Sequence, residues 1–599
     1  MTESYSPVRT IDGKQLYASF IAGAQRIIAH QKLLNDINVF PVPDADTGTN
    51  LAATMRSMQD AVIPATDVRG TALALADAAM TGARGNSGII FAQFLYGFGN
   101  ELPSSVSMDV KTFTESMKLA VPCAYEAMAN PVEGTILTVI REWADCLYML
   151  RDSIDDFIRL FTEAYTRAFE SLAGTTAQLE QLSRANVVDA GAKGFVFFLE
   201  GIRNYFSLGG GDVPAEEISE VFEPVVMQEI PHEKITHRFC TEAILSGTLP
   251  GKTVISERIG SLGDSLAMAG TPRKCHVHIH TDQPAEVIAR LQQIATVTWQ
   301  KADDMVFQQE IRTNRKSDIA LLTDSGCDLP QQLLEQYQIH VIPLTIHFGD
   351  TFFLDRITMM PQEFYAMLKS SPVRPSTSQP SVREFQSRYE YLLAHYQSVI
   401  SVHFSENLSG TFATSLKTAQ EMSTHTGKRI DVVNSASLTG GLGLLALRVA
   451  KAIAEGVSHE AIIQQVPDWK SKIVLRVGFD SLKYIVKGGR VSPLKGFIGS
   501  ALDLKPAIAI TKEGKPDVFS TAFTQKSCLS KVLENITREI SGKPVWGYAI
   551  THTNQPEKVA HCVRHMEQLT GQKPLFTEYT TPGIVANTGF NTCITAMLE

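Results

Sequence analysis

The sequence has no uninterrupted run of about 18 apolar residues, so we expect no segment of it to span a membrane. Its first fifteen residues have neither the basic stretch nor the apolar core of a secretory leader, which argues against secretion. The eight cysteines are thinly spread and include no C-x-x-C pair. Free thiols in a reducing cytoplasm are the simplest interpretation of that pattern.

A concentrated basic region is also missing, because 54 basic and 63 acidic residues are spread along the chain and give a net charge of −9. This balance argues against a nucleic-acid partner. Glycine and proline, with 41 and 27 residues, are too few for a low-complexity chain. The 599 residues, 44% of them hydrophobic, instead predict a multidomain protein of roughly three to five globular domains.

The apolar periodicity divides the chain. Residues 14–206 carry apolar side chains at i, i+3, i+4 and i+7 in successive segments, which predicts an all-α domain. Residues 207–234 are rich in glycine, proline and acidic residues, as is typical of a linker. A small α+β module is predicted for residues 235–310, with a helical pattern after three strand-like segments at 236–247, 253–270 and 274–282.

The C-terminal half has a different pattern. After a polar connector at residues 301–317, short β-branched segments alternate with helical ones. This alternation predicts an α/β domain with a largely parallel sheet.

A loop near the N-terminus carries two acidic residues two positions apart, Asp44 and Asp46. Paired carboxylates on a proline-stiffened loop suit Mg²⁺, which prefers oxygen ligands. The following Thr47-Gly48-Thr49-Asn50 opens a helix, whose N-terminal N–H groups favour anions. The same residues are also compatible with a simple turn that caps the helix.

Two more glycine-bearing segments open helices, at residues 82–88 and 188–194. The first is not a phosphate-binding loop of the Walker A type, because it lacks the Lys-Ser/Thr ending. Asn86 and Ser87 supply polar donors there, and Asp189 supplies an acid in the second segment. Three such helix starts in one helical domain are more than capping requires, so we predict that they bind phosphate.

The middle module contains candidate metal ligands, namely Cys240 and the histidines His276, His278 and His280 of an H-x-H-x-H strand. Alternate residues of a strand face the same side, so these histidines present a row of imidazoles. Cysteine and histidine together suit Zn²⁺. The alternative is that the histidines are ordinary surface or cross-strand residues.

In the C-terminal half, hydroxyl-rich and glycine-rich turns follow several strands, at residues 323–328, 374–381, 405–411 and 487–490. Hydroxyl groups, a helix N-terminus and the arginine Arg490 are what a carboxylate or phosphate head group requires. Ser409 does not lie in a G-x-S-x-G elbow, which argues against a hydrolase nucleophile.

The segments NVFPVPDADTGTN, GARGNSGIIFAQFLYGF, EGTILTVI and DAGAKGF resemble the DhaL-type (Dak phosphatase, DAK2) domain, and residues 10–206 are most similar to the ATP-binding subunit of bacterial fatty acid kinase. The resemblance implies an eight-helix barrel that holds ATP and two Mg²⁺ ions. Asp44 and Asp46 match the metal-binding acids, and Asn38 stands where dihydroxyacetone kinases have aspartate and fatty acid kinases have asparagine. The implied nucleotide contacts are Thr47, Gly48, Thr49, Asn50, Asn86, Ser87, Thr135, Arg184 and Asp189.

Residues 235–310 resemble the middle domain of the same kinase component, where Cys240, His278 and His280 match a C…H-x-H set for Zn²⁺, or another structural metal, and His276 lies outside it. The segments TDSGCDLP, RPSTSQPS, SENLSGTFATS and KYIVKGGRVS of residues 317–599 resemble the DegV family of two-lobed α/β fatty-acid-binding proteins. That resemblance implies an acyl chain held between the lobes. Its head group would be bound by Thr377, Ser378, Ser409, Gly410, Arg490 and Asn587. Arg490 also matches the arginine close to the phosphoryl-transfer position, which implies a catalytic role for it.

One position departs from the DegV pattern. The family commonly ends in H-T-G-P-G, whereas this chain has Asn587-Thr588-Gly589-Phe590-Asn591. Asparagine donates a hydrogen bond but cannot carry charge or shuttle protons as histidine does. Binding of a ligand is therefore better supported here than catalysis.

Taken together, the resemblances imply that one chain fuses both halves of fatty acid kinase, with the DegV half in place of the usual third domain. Such a cytoplasmic enzyme would transfer the γ-phosphoryl group of ATP, with Mg²⁺, to a fatty acid carboxylate. The implied partners are an acyltransferase that uses acyl-phosphate and a second copy of the chain in a homodimer. Two alternatives remain: a dihydroxyacetone (glycerone)-type kinase, and a lipid-binding or sensory protein with little turnover.

Overall fold

The computed structural model describes residues 7–41, 46–209, 235–489 and 504–599, and the chain divides into two compact units, Met1–Gln309 and Glu310–Glu599. Most of the predicted linker at residues 207–234 lies outside the described residues. So do two predicted site residues, Asp44 and Arg490. No described helix combines the length and the apolar character needed to cross a bilayer.

The described part of residues 7–209 is helical, as predicted, apart from a ribbon of two three-residue strands, β1 (Thr10–Asp12) and β2 (Ser107–Asp109). Eight of its helices have 15 or more residues, and two have six. They are α1 (Gly13–Ala29), α2 (Gln31–Asp36), α3 (Thr47–Ala61), α4 (Val68–Gly82), α5 (Gly85–Glu101), α6 (Val110–Tyr125), α7 (Ile136–Leu150), α8 (Phe157–Gln178), α9 (Glu180–Ala185) and α10 (Ala190–Ser207).

The eight long helices form a closed ring. Each packs on the next in the order α1, α3, α4, α5, α6, α7, α8, α10, and α10 returns to pack on α1. Aspartates begin several of them, because their carboxylates accept hydrogen bonds from the otherwise unpaired N–H groups of the first turn. The core is rich in aromatic side chains that contact one another edge to face, among them Phe20, Phe91, Phe113, Phe198 and Trp143.

The middle module is a four-stranded antiparallel sheet with strand order β4-β5-β3-β6. Its elements are β3 (Phe239–Ser246), α11 (Lys252–Ile259), β4 (Gly263–Thr271), β5 (Lys274–Thr281), α12 (Pro284–Gln292), β6 (Thr296–Asp304) and α13 (Met305–Thr313).

Two expectations for this module were wrong. The segment 253–270 is not one strand: its first half is α11, in which Ile255 and Ile259 are buried at helical spacing. The expected connector at 301–317 instead begins with the end of β6 and continues as α13. The charged residues Lys301 and Asp303 made that segment resemble a loop, but they lie on one face of the sheet and pair with each other.

The described residues of the second unit form three sheets. Its strands are β7 (Ile319–Asp324), β8 (Ile339–Ile342), β9 (Thr345–Phe348), β10 (Thr351–Leu354), β11 (Pro375–Ser378), β12 (Ser398–His403), β13 (Arg429–Asn434), β14 (Ile473–Phe479), β15 (Lys505–Ile510), β16 (Pro516–Ala522), β17 (Val545–His552), β18 (Phe576–Tyr579) and β19 (Asn591–Leu598). Its helices are α14 (Gln331–Gln336), α15 (Pro361–Ser370), α16 (Val382–His395), α17 (Thr411–Thr426), α18 (Thr439–Ala454), α19 (His459–Ser471), α20 (Leu482–Gly488), α21 (Gln525–Ile540), α22 (Pro556–Thr570) and α23 (Pro582–Thr588).

The predicted parallel sheet is present in one of the three. Strands β13-β12-β7-β8 are all parallel. The six-stranded sheet, with order β16-β15-β14-β19-β17-β18, has only β17 and β18 parallel, so the expectation of a largely parallel sheet was wrong for it. One cause is local, because a glycine turn at Gly514 folds β15 and β16 into a hairpin. The other is long-range, because the chain end returns as β19 in the centre of the sheet.

A buried acidic network fixes the start of α23. Asp355 accepts hydrogen bonds from the hydroxyl groups of Thr581 and Ser325, and Asp328 accepts one from the Thr581 N–H. Burial raises the pKa of Asp355 to about 6 and that of Asp328 to about 7. The network therefore determines where α23, which carries Asn587, begins.

We predict that Gly201→Ala destabilises the first unit. Gly201 lies where α10 crosses α1, and a Cβ there would overlap the Ala22 carbonyl oxygen and lie 2.6 Å from Gly23 Cα. Overpacking of this kind costs about 1–3 kcal/mol, which we expect as a lower free energy of unfolding in denaturant titrations. In the control Gly174→Ala, on α8, the new Cβ would lie 3.6 Å from Gln178 Nε2, an ordinary contact distance, so this variant should be neutral or stabilising. Equal loss in both variants would contradict this account of the helix crossing.

Candidate functional site

A pocket in the first unit lies where α3 and α5 begin and strands β3 and β5 pass over them. It is lined by Asn38, Phe40, Pro41, Asp46, Thr47, Asn50, Gly85, Asn86, Ser87, Cys240, His278 and His280. Residues from the helical domain and from the middle module thus share one pocket.

The predicted glycine-bearing helix starts come together here. Gly85 opens α5 with a φ of 58°, and a Cβ on it would lie 2.6 Å from Asn50 Nδ2 in the first turn of α3. A Cβ on Gly191, in the first turn of α10, would lie 2.5 Å from Ser87 Oγ. The N-terminal ends of α3, α5 and α10 are therefore neighbours, as a shared anion site requires.

The loop before α3 presents oxygen ligands to the pocket. Asn38 is 2% exposed, and its Oδ1 accepts a 2.7 Å hydrogen bond from Thr47 Oγ1. Asp46 is the N-cap residue of α3, but its side chain does not cap the helix, so capping does not account for this aspartate. Asn86 has a buried Oδ1 without a hydrogen-bond partner among the described residues. An unsatisfied polar atom in a polar pocket fits a ligand that supplies the missing partner.

The remaining predicted nucleotide residues occupy different positions. Thr49 is exposed and bonds Gln31 and Asn35, while Gly48 is buried against α2. Thr135 caps α7. Arg184 is exposed and pairs with Glu180 within α9.

Asp189 caps α10 through its 2.7 Å bond from Ala192 N. Burial raises the pKa of Asp189 to about 6, and backbone hydrogen bonds from Ala192 and Ile136 oppose that rise. Because Ile136 begins α7, Asp189 links the start of α7 to that of α10.

The sheet face above the helix starts carries the predicted metal ligands. Cys240 on β3 pairs with His280 on β5, and Glu242 pairs with His278, so their side chains share that face. Ligand atoms of Cys240, His278 and His280 all lie within 4.8 Å of one another. The His278 Nε2 atom is buried without a hydrogen-bond partner in the described structure.

The donor chemistry of this trio fits a metal ion. Burial lowers the pKa of His280 to about 3, so its imidazole is neutral and keeps a lone pair. Burial, with the nearby Glu242 carboxylate, raises the pKa of the Cys240 thiol well above its usual value, so this thiol must lose its proton when it binds a metal ion. A thiolate and two imidazoles are donors that suit Zn²⁺.

Sequence reasoning missed Glu242 and treated His276 as outside the metal set. Glu242 is 1% exposed, and its Oε1 accepts a 2.7 Å hydrogen bond from Gly85 N. Burial alone would raise the pKa of Glu242, but hydrogen bonding to His276 and His278 outweighs burial and lowers it well below the usual range. His276 is fully buried and also contacts the Met80 carbonyl oxygen, so it anchors the sheet. The signal available was the C-x-E spacing, which puts Glu242 on the face of Cys240.

In the second unit, separate motifs meet around α23. Asn587 Nδ2 donates a 2.9 Å hydrogen bond to Thr377 Oγ1 on β11. The expected turn at residues 374–381 was wrong in part, because Pro375–Ser378 form strand β11. A Cβ on Gly410 would overlap Gln379 Oε1, which places the start of α17 beside the residue that follows β11. On the other side, Arg374 Nη1 bonds the Lys487 carbonyl oxygen at 3.0 Å.

Two predicted head-group hydroxyls already have partners. Ser409 Oγ lies 2.8 Å from Thr411 Oγ1, at the start of α17. Ser378 Oγ is exposed and lies 3.0 Å from His347 Nε2. The cluster offers hydroxyl and amide donors and a helix N-terminus, which is a fitting set for a carboxylate.

Three family models match consecutive parts of the chain. Residues 41–204 match the DAK2 domain, residues 236–312 match the middle domain of the FakA-like fatty acid kinase family, and residues 318–598 match the DegV family of uncharacterised proteins.

Among curated relatives, an uncharacterized protein of Staphylococcus saprophyticus is 34% identical over 310 residues, which are 50% of this chain and 56% of that protein. The chain thus spans about half the length of that relative. A DegV domain-containing protein of Clostridium acetobutylicum is 33% identical over 275 residues, which are 45% of this chain and 96% of that protein.

Solved structures similar to the chain include DegV, a fatty acid binding protein from Bacillus subtilis, with 29% identity and a TM-score of 0.43. That match covers 47% of this chain and 100% of the other. A fatty-acid-binding DegV family protein from Thermus thermophilus has 26% identity and the same TM-score, over 47% of this chain and 99% of the other.

The architecture is therefore like that of fatty acid kinase, with a DegV domain in the same polypeptide. Through its C-terminal half the chain belongs to the DegV family, and it joins that domain to a DAK2 domain and a FakA-like middle domain.

Proposed function

We propose that the chain phosphorylates a fatty acid. The γ-phosphoryl group of ATP is transferred to the fatty acid carboxylate, and the products are an acyl-phosphate and ADP. The observation that carries the proposal is the meeting of the α3 and α5 starts at one pocket that also holds Asn38 and Asp46, with the α10 start beside Ser87. Helix N-termini supply N–H donors to the phosphates of a nucleotide.

On the donor side, Asn38 and Asp46 are the described residues that would hold Mg²⁺, since amide and carboxylate oxygens are its preferred ligands. An Mg²⁺ ion held by these two residues would neutralise the negative charge of the phosphates. Thr47 holds Asn38 in place through their hydrogen bond. The Asn86 Oδ1 atom has no hydrogen-bond partner among the described residues and is available to a hydrogen-bond donor or a metal ion. These residues position and stabilise the phosphates and perform no acid–base chemistry.

On the acceptor side, Thr377, Ser378, Ser409, Gly410 and Asn587 would bind the fatty acid head group, together with Arg490. A carboxylate with a pKa near 4 is ionised at neutral pH, so the acceptor requires no strong general base. The fusion of donor and acceptor domains raises their effective concentration. Acyl-phosphate is a reactive mixed anhydride, and an acyltransferase that accepts it would be the consumer.

The direct test follows ADP release from full-length protein with MgATP and a long-chain fatty acid, and with dihydroxyacetone in parallel. We expect ADP release that depends on the fatty acid and falls on the order of a hundredfold in Asp46→Asn, because that variant weakens metal binding. Asp60→Asn, at the far end of α3, is the matched control and should keep activity.

Release of ADP with dihydroxyacetone alone would replace the proposal with the ketose kinase. Fatty acid that co-purifies with the protein, with ADP release no higher than in Asp46→Asn, would replace it with a lipid-binding protein.

We predict that purified protein carries about one Zn²⁺ per chain and that Cys240→Ala loses it, because removal of the thiolate leaves two imidazoles. Elemental analysis measures the metal content. Cys123→Ala, a half-buried cysteine on α6, is the matched control and should retain zinc. Equal zinc content in Cys240→Ala and the parent would refute a metal site at this cluster.

We predict that Asn587→Ala weakens fatty acid binding about 3–10-fold, the effect of one lost hydrogen bond to the ordered head-group cluster. Asn587→His restores a donor and should bind as the parent does. Displacement of a fluorescent fatty acid measures both. Thr588→Ala removes a hydroxyl that bonds carbonyl oxygens within its own segment and should have no effect. Unchanged affinity in Asn587→Ala would remove this residue from the binding site.

A further inference from the structure

We infer that Glu242 is a positioning residue that couples zinc binding at Cys240, His278 and His280 to nucleotide binding at the start of α5. The inference rests on the proposed function, since it assumes that the pocket binds both a metal ion and a nucleotide. It adds a specific connection between the two: occupancy of one site changes the affinity of the other through this carboxylate.

One carboxylate oxygen makes both contacts. Glu242 Oε1 accepts the 2.7 Å hydrogen bond from Gly85 N and lies 3.4 Å from His278 Nδ1. The side chain comes from β3 in the middle module, while Gly85 begins α5 in the helical domain. A shift of the His278 ring therefore moves the acceptor of the first N–H group of α5.

The contacts of the second carboxylate oxygen limit how the Glu242 side chain can move when His278 moves. Glu242 Oε2 lies 3.6 Å from His276 Nε2 and 3.9 Å from Arg84 Nε. The Arg84 guanidinium stacks over the Trp299 ring at 4.1 Å, so it too is held. With 1% exposure, Glu242 cannot reach water when one of these contacts changes. The carboxylate must move with its partners, as a coupling element does.

A metal ion at the cluster would use this arrangement. A ligand histidine usually donates its other ring N–H to a carboxylate or carbonyl group, which fixes its orientation. Glu242 holds Gly85, and Asn86 and Ser87 face the pocket. The His278 ring lies beside the Cys240 thiol and the Glu242 carboxylate, and a metal ion held by His278 would fix that ring and with it the carboxylate that positions the start of α5.

A purely structural role for Glu242 has a different consequence. If it only joined the sheet to the helix, its replacement would lower stability and nucleotide affinity by the same factor with or without zinc. If Glu242 couples the two sites, its replacement changes nucleotide affinity by different factors with zinc and without zinc. The isosteric Glu242→Gln keeps an acceptor for Gly85 N but removes the charge that holds the histidines, so it separates the two roles.

The test measures the affinity of full-length protein for MgADP by calorimetry, in zinc-loaded protein and in protein stripped with a chelator and returned to magnesium alone. We expect zinc removal to weaken MgADP binding by about tenfold, within the roughly 5–150-fold range of coupled sites. In Glu242→Gln the ratio between the two conditions should fall to less than about twofold. By reciprocity, saturating MgADP should raise the zinc affinity of the parent by the same factor.

Asp264→Asn is the matched control. The Asp264 carboxylate lies 3.6 Å from His280 Nδ1, and it bonds Thr236. Asp264 thus contacts a ligand histidine from β4, the edge strand of the sheet, where it is paired with His280. The Asp264→Asn variant should retain the zinc dependence of MgADP binding. Glu242→Asp is a second variant: it keeps the charge but is one methylene shorter, so it should also lose the coupling. Thermal unfolding of each variant checks that it is folded.

The outcomes separate the inference from the proposed function. Equal MgADP affinity of the parent with and without zinc, or an unchanged ratio in folded Glu242 variants, overturns the coupling and leaves the kinase proposal intact. No binding of MgADP by zinc-loaded parent protein overturns the kinase proposal and the coupling with it.

Discussion

The first unit depends on the packing of one polar sheet face, that of the middle module, against the N-terminal ends of α3 and α5. A buried carboxylate must have partners, because an unpaired charge in the interior is very costly. Glu242 Oε1 finds them in a backbone N–H of α5 and in His278 of β5, whereas Glu242 Oε2 lies 3.6 Å from His276 Nε2 and has no hydrogen-bond partner among the described residues. The sheet cannot slide by one residue without burying the wrong face, so this register places Cys240, His278 and His280 at the pocket.

The helical domain was predictable because its helices have apolar stripes and aspartate caps, which are local signals. The meeting of the three glycine-bearing starts was also predictable in kind, although only the structure shows that Gly85 touches Asn50 and Gly191 touches Ser87. The charged end of β6 was not predictable in the same way. Lys301 and Asp303 have the composition of a surface loop, and only the register with β3 reveals that they face one another in a sheet.

In the second unit, sequence reasoning identified the alternation of strands and helices and some of the strands, but not the pairing of the six-stranded sheet. Strand pairing depends on contacts distant in sequence, and β19 joins β14 across more than a hundred residues. The same separation along the sequence explains why the residues of the head-group cluster could be predicted but their contacts with one another could not. Thr377 and Asn587 are 210 residues apart, and a buried network of Asp328, Asp355 and Thr581 brings them together by fixing the start of α23.

The central claim is that one pocket of the first unit, lined on one side by the middle-module sheet, binds both a metal-bound nucleotide and a zinc ion. Crystals of the full chain grown with zinc, magnesium and a non-hydrolysable ATP analogue test it, with diffraction measured on both sides of the zinc absorption edge. The account predicts one anomalous zinc peak bounded by Cys240, His278 and His280, and triphosphate density at the first turns of α3 and α5. Nucleotide density elsewhere in the chain, or no zinc peak among those three side chains, would contradict it.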